Sequence, residues 1–481
     1  MMFKRLILLL VIILSFSIIG CGKDNVTGLE DIPEEPQNNA IDLDGYEFIF
    51  GVCYDFQNPI GIQPYFPLEG TSQQGDAMLS RYKEIENMYN CSIVEKQINE
   101  YSYQQEILQA AAIAEKYSDI LVSFVESTYK AYRADLLQSY SGSDYIDLSS
   151  SKWGTPLALE LMTFDGENCY GVQPDLWPIS ERGAGIYGPV LFNPDVIKEY
   201  QQPNPYELQE SGIWNWDNFE KIAVACTEDS TNVEDIHYGI TSQHDDFGIM
   251  AIYSNNGRFV KEQDGRYVYG YTDPAAVDAL VWMQDLMFNK KVIGTSTTDW
   301  WGGMKIFSNG RSAFHVGRSF FGLTIPTGTE EDNKFPSAML KNGYGWIPFP
   351  YGPNSNADDW SSIIDCVERF FVIPINTDSD IVMRIMDDMF EPIVNVPDWK
   401  QYYRRSLFFE EQGFTNFNNM LDNAQNSYFH ILDGWDGRQF IVNAIGDLMK
   451  NAKKSPIQTV TEQESRYQQY IDERVNNIIT N

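Results

Sequence analysis

Residues 212–225 have the sequence GIWNWDNFEKIAVA, which contains a complete helix start. Asn215 is a favourable N-cap because its side-chain oxygen can accept a hydrogen bond from an unpaired N–H group of the first turn. Trp214 before this cap and Phe219 after it have the spacing of a hydrophobic staple. The apolar residues that follow recur at the helical period. The segment therefore predicts a well-capped helix whose apolar face packs on a core.

Further motifs lie on both sides of this helix. Upstream, residues 170–174 have the sequence YGVQP and residues 187–195 have YGPVLFNPD. Downstream, residues 307–314 have the sequence FSNGRSAF and residues 344–353 have YGWIPFPYGP. In this order and spacing, the motifs and the capped helix resemble the extracellular solute-binding proteins (family 1) of ABC importers, in particular those that bind sugars. The resemblance covers most of the chain after its N-terminal forty residues.

The resemblance implies an α/β fold of the two-lobed, periplasmic-binding-protein-like type (type II), in which hinge-linked α/β lobes enclose a ligand cleft. The alternation of strand and helix patterns before residue 150 independently favours a first α/β lobe. The expected lobes are residues 41–160 with 313–365 for the N-terminal lobe and residues 161–312 with 366–481 for the C-terminal lobe. The expected connections between them lie near residues 155–190, 311–320 and 360–374.

The N-terminus indicates the cellular compartment. Lys4 and Arg5 precede an apolar run over residues 6–19, which is the pattern of a signal peptide and too short for a comfortable membrane span. The run ends in IIGC at Cys21, which resembles the lipobox of bacterial lipoproteins. We therefore expect a signal peptide over residues 1–20, lipidation of Cys21, and anchoring on the extracytoplasmic face of the cell membrane; the alternative is an uncleaved anchor with an incidental cysteine.

Residues 21–40 are polar, acidic and proline-bearing, which predicts a flexible tether between the lipid and the folded body. The chain contains six cysteines, so lipidation of one leaves an odd number. At least one of the remaining five therefore has no partner for a disulfide within the chain.

Composition argues against several classes of protein. The chain has 481 residues and a formal net charge of −34, and such a surface repels the phosphate backbone of nucleic acids. The cysteines form no C-x-x-C pair and the four histidines have no metal-ligand spacing, so we expect no metal site and no cofactor. Many relatives carry a calcium-binding loop where residues 229–235 stand. Thr231 and Val233 occupy positions that need carboxylates there, which favours an ordinary polar turn.

Candidate ligand-binding residues follow from the positions of the predicted strands. Ligands of α/β sheets collect at the carboxyl ends of strands, where Tyr54, Asp55 and Glu126 stand in the first lobe. Arg318 and Phe320 follow another predicted strand, at the place where many relatives carry a ligand-stacking aromatic residue.

Sugars present flat C–H faces and hydroxyl edges, so a sugar site pairs aromatic rings with a few hydrogen-bonding side chains. The chain contains 11 tryptophans, and several fall in predicted loops. Those that we select as candidate cleft residues are Trp177, Trp300, Trp301 and Trp346. For each single tryptophan, packing in a core is the alternative interpretation.

The favoured function is a lipid-anchored, monomeric receptor that delivers an oligosaccharide to an ABC permease by closure of its lobes. A receptor for another solute, such as a peptide or a polyamine, is the first alternative. A secreted glycoside hydrolase with two catalytic carboxylates is the second, because carboxylates are abundant in so acidic a chain. No G-x-S-x-G, H-E-x-x-H or P-loop pattern is present, and the order of the motifs favours a receptor that is not an enzyme.

Replacing Cys21 by alanine is expected to abolish lipidation and release the protein from the membrane, because the thiol is the site of lipid attachment in a lipobox. Detergent-phase partitioning of the wild type and of Cys21→Ala measures this directly. Continued partitioning of the variant into the detergent phase would contradict the lipobox interpretation.

Overall fold

The structure is a computed structural model. The residues that it describes are 41–52, 65–99, 102–174, 177–178, 185–242, 245–295, 301–324, 343–359, 362–364, 368–398, 400–401, 404, 408–428 and 435–476. The predicted signal peptide and tether, including Cys21, lie outside these ranges. Within them, no helix has both the length and the apolar character that crossing a membrane requires.

The strands are, in chain order, β1 (Tyr46–Val52), β2 (Cys91–Gln97), β3 (Ile120–Phe124), β4 (Leu137–Gln138), β5 (Ile186–Phe192), β6 (Tyr238–Ser242), β7 (Val260–Gln263), β8 (Arg266–Tyr269), β9 (Ile293–Thr295), β10 (Ser312–Arg318), β11 (Gly345–Pro348), β12 (Ile363–Ile364) and β13 (Arg369–Pro374).

The α-helices are α1 (Gln73–Tyr89), α2 (Tyr103–Ala112), α3 (Val125–Arg133), α4 (Pro156–Leu161), α5 (Pro194–Glu199), α6 (Pro205–Glu210), α7 (Trp216–Ala225), α8 (Asp246–Ser254), α9 (Pro274–Gln284), α10 (Gly302–Ser308), α11 (Ser319–Thr324), α12 (Ser379–Met389), α13 (Glu411–Asp422), α14 (Trp435–Lys450) and α15 (Pro456–Ile471).

The first sheet has the strand order β2-β1-β3-β13-β4, in which β1 pairs in parallel with β2 and β3, and β13 is antiparallel to β3. Asp119, which directly precedes β3, is fully buried. Its carboxylate accepts hydrogen bonds from Ile49 N at 2.6 Å and from Thr377 Oγ1 at 2.7 Å, and it lies 2.9 Å from Lys116 Nζ. One satisfied carboxylate thus joins β1, β3 and the approach to α12. We call this sheet, with α1–α4 and α12, the first lobe.

The second sheet has the strand order β11-β5-β10-β6-β9, and β12 pairs with β5 beside this path. β10 is antiparallel to β5 and parallel to β6. β7 and β8 form a separate hairpin. We call the second sheet, with the hairpin, α5–α11 and α13–α15, the second lobe. The predicted mixed α/β architecture with two lobes is confirmed.

The capped helix forms as the sequence predicts. Asn215 Oδ1 accepts a hydrogen bond from Asn218 N at 3.0 Å, and the rings of Trp214 and Phe219 pack edge to face with centroids 5.7 Å apart. Trp214 is 3% exposed and Phe219 is fully buried. The interpretation of this segment as a stapled helix that packs on a core is confirmed, and the core in question is that of the second lobe.

The chain changes lobe within two of the three expected segments, 155–190 and 360–374, but not within the third. Residues 312–318 form β10 in the centre of the second sheet, so the assignment of 313–365 to the first lobe is wrong for its strands, and 311–320 is not a connection. Conversely, β13 and α12 belong to the first lobe, although they fall within residues 366–481. The chain therefore changes lobe between Gln173 and β5, between β12 and β13, and between α12 and α13.

Candidate functional site

Polar residues of the second lobe converge at one edge of its sheet. Because β6 and β10 are parallel, their last residues, Ser242 and Arg318, lie at the same edge. β5 is antiparallel and starts there, with Tyr187 opposite Arg318. α8 follows β6 and begins at Asp246, and Phe247 N donates to Ser242 Oγ at 3.1 Å. We call this edge the binding edge of the second lobe, because ligands of α/β sheets collect at the carboxyl ends of strands.

A buried ion pair forms the centre of this edge. Arg318 is 5% exposed and Asp246 is 1% exposed, and Arg318 Nε lies 3.9 Å from Asp246 Oδ1. The guanidinium also lies over the ring of Tyr187, 4.8 Å from its centroid. Each charge offsets part of the cost of burying the other. The guanidinium of Arg318, which keeps a small exposed fraction, can offer N–H donors at this edge, and the buried Asp246 carboxylate faces it from below.

Aromatic rings lie at the same edge of the sheet. Trp301 and Phe320 are partly exposed, and their ring centroids lie 5.9 Å apart at nearly a right angle. Phe320 in turn stacks on the buried Phe321, with centroids 4.2 Å apart. Of the candidate residues predicted from the sequence, the structure thus brings Trp301, Arg318 and Phe320 to one edge of one sheet.

The corresponding edge of the first lobe lies where β3 ends and β13 begins. Arg369 pairs with Phe124, and its guanidinium lies 4.9 Å from the centroid of the Phe124 ring. Glu126, the predicted candidate, stands in the first turn of α3, and its carboxylate lies 2.6 Å from Lys130 Nζ. The structure therefore keeps Glu126 at this edge, but in an ion pair along its own helix.

Glu368 links the two lobes. This residue is 2% exposed, and its carboxylate accepts hydrogen bonds from Gln173 Nε2 at 2.8 Å and from Gly185 N at 3.2 Å. Its carbonyl oxygen accepts a hydrogen bond from Val125 N at 3.0 Å. A Cβ atom on residue 185 would lie 2.6 Å from Glu368 Oε2, so the glycine permits this approach. Glu368 therefore holds two of the connections between the lobes against the end of β3.

Two predicted cleft tryptophans are core residues instead. Trp177 is fully buried and packs edge-on against Phe390, with centroids 5.3 Å apart. Trp346 is 1% exposed and packs against Phe408 and Phe417, at 5.0 and 5.4 Å between centroids. A ring with no accessible surface cannot stack on a ligand, so the core-packing interpretation replaces the predicted role for both.

The remaining candidates are Tyr54, Asp55 and Trp300, which lie outside the described residues.

Residues 229–235, the place of a calcium loop in many relatives, contain a single 3-10 turn at Val233–Asp235. Asn232 Nδ2 donates there to Asp235 Oδ2 at 2.9 Å. Among the described residues, no group of three or more His, Cys, Asp or Glu side chains has an arrangement that would hold a metal ion.

Sequence reasoning missed the buried polar residues Asp246, His315 and Glu368. His315 lies in β10 and is 1% exposed, and burial lowers its pKa to about 3 from the ordinary value of 6.5. The imidazole is therefore neutral at physiological pH. The signal that was available is the polar residue within an otherwise apolar strand, AFHV, at 313–316.

The pKa of His315 predicts a contribution to the pH dependence of stability. Below about pH 6.5 His315 is protonated in the unfolded chain, whereas in the folded protein it stays neutral until about pH 3. The free energy of unfolding therefore falls as the pH is lowered through this window. Between pH 6.5 and about 4.5, the loss due to this residue is about 2 kcal/mol. Denaturant unfolding of the wild type and of His315→Gln at both pH values measures it. Equal losses for the two proteins would contradict the prediction, because all other titrating groups cancel in this comparison.

Comparisons with known proteins agree with this architecture. No protein-family model and no curated protein matches the chain. The extracellular solute-binding protein of Staphylococcus aureus in complex with maltose aligns with a TM-score of 0.59 at 13% identity, over 90% of this chain and 98% of that chain. The GacH receptor of Streptomyces glaucescens, solved unliganded and with acarbose, aligns with a TM-score of 0.58 at 13% identity, over 89% of this chain and 99% of that chain.

UgpB from Mycobacterium tuberculosis, in complex with glycerophosphocholine, aligns with a TM-score of 0.57 at 13% identity, over 90% of this chain and 99% of that chain. At such low identities the likeness establishes the fold alone. The resemblance stated from the sequence motifs is confirmed at this level: the chain has the two-lobed fold of the solute-binding proteins of ABC importers.

Proposed function

We propose that this protein is an extracytoplasmic receptor that binds a carbohydrate, an oligosaccharide, between its two lobes and delivers it to an ABC permease. The observation that carries the proposal is the convergence of Trp301 and Phe320 with the buried pair of Arg318 and Asp246 at the binding edge of the second lobe. Flat rings beside fixed donors and acceptors complement the C–H faces and hydroxyl edges of a sugar.

Charge at this edge favours an uncharged ligand over the alternatives. A polyamine receptor needs carboxylates whose charge is available to the ligand, whereas the Asp246 carboxylate lies 3.9 Å from the guanidinium of Arg318. For an anionic solute, the positive charge of Arg318 is in turn offset by the Asp246 carboxylate. The solved neighbours include complexes with maltose and acarbose, which supports a sugar, and one with glycerophosphocholine, which keeps another solute as the second candidate.

Delivery and anchoring complete the proposal. Closure of the lobes about the connections held by Glu368 would enclose the ligand and present one face of the closed form to a permease. Lipid on Cys21, followed by the tether, would keep the receptor at the extracytoplasmic face of the membrane. We propose that the protein is not an enzyme; the structural neighbours are binding proteins, which supports this.

The test is a ligand screen with the mature protein. Maltose, maltotetraose, cellobiose, raffinose, spermidine, a tripeptide and glycerophosphocholine are compared by thermal shift, because a ligand that binds the folded state raises its apparent stability. A carbohydrate is expected to raise the midpoint and to be recovered unchanged after long incubation. A response to only the non-sugar solutes would overturn the sugar proposal, and turnover of the sugar would overturn the receptor proposal.

Truncation of two tryptophans separates a ligand contact from a core contact. Trp301→Ala is expected to weaken binding of the sugar from the screen by about 1–3 kcal/mol with a smaller change in stability, because the ring is partly exposed at the binding edge. Trp346→Ala is the matched control and is expected to cost about 3–5 kcal/mol of stability, because its ring is buried. Calorimetric titration and denaturant unfolding measure the two quantities.

If Trp301→Ala loses stability as Trp346→Ala does and binds the sugar with unchanged affinity, Trp301 is a packing residue. The aromatic part of the proposed site is then wrong.

A further inference from the structure

Glu368 and Gly185 bring the main chains of the two lobes close together. Glu368 directly precedes β13 of the first lobe, and Gly185 directly precedes β5 of the second. Both residues are buried. A Cβ atom on residue 185 would lie 2.9 Å from Glu368 N and 3.2 Å from Glu368 Cα, which is closer than an ordinary van der Waals contact. Two connections between the lobes therefore run against each other at this point.

The Glu368 carboxylate adds hydrogen bonds to this close approach. Oε1 accepts from Gln173 Nε2 at 2.8 Å, and the other oxygen, Oε2, accepts from Gly185 N at 3.2 Å. Gln173 belongs to the first lobe, since its neighbour Val172 forms a bridge with Phe371 of β13. The hydrogen bond between Oε2 and Gly185 N therefore crosses from the first lobe to the second.

A carboxylate suits these two partners better than an amide would. The backbone N–H of Gly185 can only donate, and the Gln173 amide is held in one orientation because Nε2 also donates to Arg369 O at 3.0 Å. An amide at residue 368 would face these two donors with one acceptor oxygen and one NH2 group. It would therefore lose one hydrogen bond, or the Gln173 amide would turn and lose its bond to Arg369 O. Hydrogen bonds to an ionised acceptor are also roughly twice as strong as neutral ones.

The main chain of Glu368 reaches the binding edge of the first lobe. Its carbonyl oxygen accepts from Val125 N at 3.0 Å, and Val125 is the first residue of α3. This N–H group belongs to the first turn of the helix, so it has no acceptor within the helix. The candidate ligand residue Glu126 stands in the same turn. One residue thus holds both the contact between the lobes and the start of this helix.

We propose that Glu368 is a positioning residue for ligand binding: its carboxylate, with Gln173 and Gly185 N, forms a clamp that sets the angle between the lobes without touching the ligand. The clamp lies between two neighbouring connections, where a hinge rotation of the lobes displaces atoms least, so its bonds persist in open and closed forms. Without the clamp, the lobes sample more orientations, and a smaller fraction of the molecules is competent to bind. The expected effect on affinity rests on the proposed function, whereas the effect on lobe orientation is independent of any ligand.

Small-angle X-ray scattering of the ligand-free protein tests the clamp directly. Glu368→Gln keeps the size of the side chain and removes its charge, and its radius of gyration is expected to exceed that of the wild type because the lobes separate further on average. Asp119→Asn is the matched control. Asp119 is also a buried carboxylate with a backbone N–H donor, but its partners Ile49 and Thr377 lie within the first lobe. It is expected to lower the unfolding midpoint and to leave the radius of gyration unchanged.

Gly185→Ala tests the same contact from the second lobe. Its methyl group would lie 2.6 Å from Glu368 Oε2 and 2.9 Å from Glu368 N, so the two main chains must move apart. Its radius of gyration is expected to rise as that of Glu368→Gln does. Gly446→Ala is the matched control: a Cβ atom there meets nothing within 4 Å, and the residue lies in α14, so its scattering should equal that of the wild type.

Affinity is the second measurement, with the tightest-binding sugar of the screen above as the probe. Glu368→Gln is expected to bind it about tenfold more weakly, because fewer molecules hold the lobes at the competent angle. Asp119→Asn is expected to stay within about threefold of the wild type, because it leaves the clamp intact. Unfolding midpoints of all variants show that each is folded.

The outcomes separate the clamp from the function. If folded Glu368→Gln and Gly185→Ala scatter as the wild type does, the clamp is overturned whatever the sugar result; should Glu368→Gln fail to fold, Gly185→Ala decides alone. If both variants shift and the controls do not, but no sugar binds the wild type, the clamp stands and the proposed function is wrong. Shifted scattering with unchanged affinity for a sugar that binds the wild type overturns the role of Glu368 in binding.

Discussion

The arrangement of the lobes depends on one buried carboxylate, that of Glu368. Burying an unpaired charge is prohibitive, so this residue must be met by donors, and they come from distant parts of the chain: Gln173 and Gly185. Its backbone carbonyl adds a bond from Val125, at the end of β3. The hydrogen bonds of this carboxylate therefore tie together two of the segments in which the chain changes lobe.

The parts of the fold that local signals encode could be predicted from the sequence. Asn215, Trp214 and Phe219 lie within six residues of each other, so the capped helix needs no remote partner to be recognised. The place of β10 could not be predicted in this way. Its apolar pattern suits a central strand of either sheet, and only its pairing with β5 and β6 decides between them. Pairing between strands that are far apart in the sequence cannot be recognised from a single segment. The predicted boundaries of the lobes were therefore wrong at β10.

In the candidate site, too, some residues could be predicted from the sequence and others could not. Arg318 and Phe320 were selected because they stand where the family resemblance implies a ligand-stacking aromatic residue, and the structure places them at the carboxyl end of β10. The residue type alone does not tell whether a tryptophan lies at a binding site or in a core. Trp301 is partly exposed, whereas Trp177 and Trp346 are buried in the cores of different lobes. Burial of a polar group depends on partners far away in the sequence, as Thr241 is for His315 and Arg318 is for Asp246. These residues become visible as a site only once the sheet is assembled.

Charge compensation gives the binding edge a character opposite to that of the whole chain. The chain carries a formal net charge of −34, which exposed carboxylates can hold in water at little cost. At the binding edge, Asp246 faces the guanidinium of Arg318, and burial keeps His315 neutral, so part of the local charge is compensated. Under the proposed function, selection of the ligand there would come mainly from the direction of hydrogen bonds and from ring contacts, which are short-ranged and little affected by salt. The negative charge of the chain is therefore carried elsewhere, whereas the binding edge combines a buried ion pair with a neutral histidine.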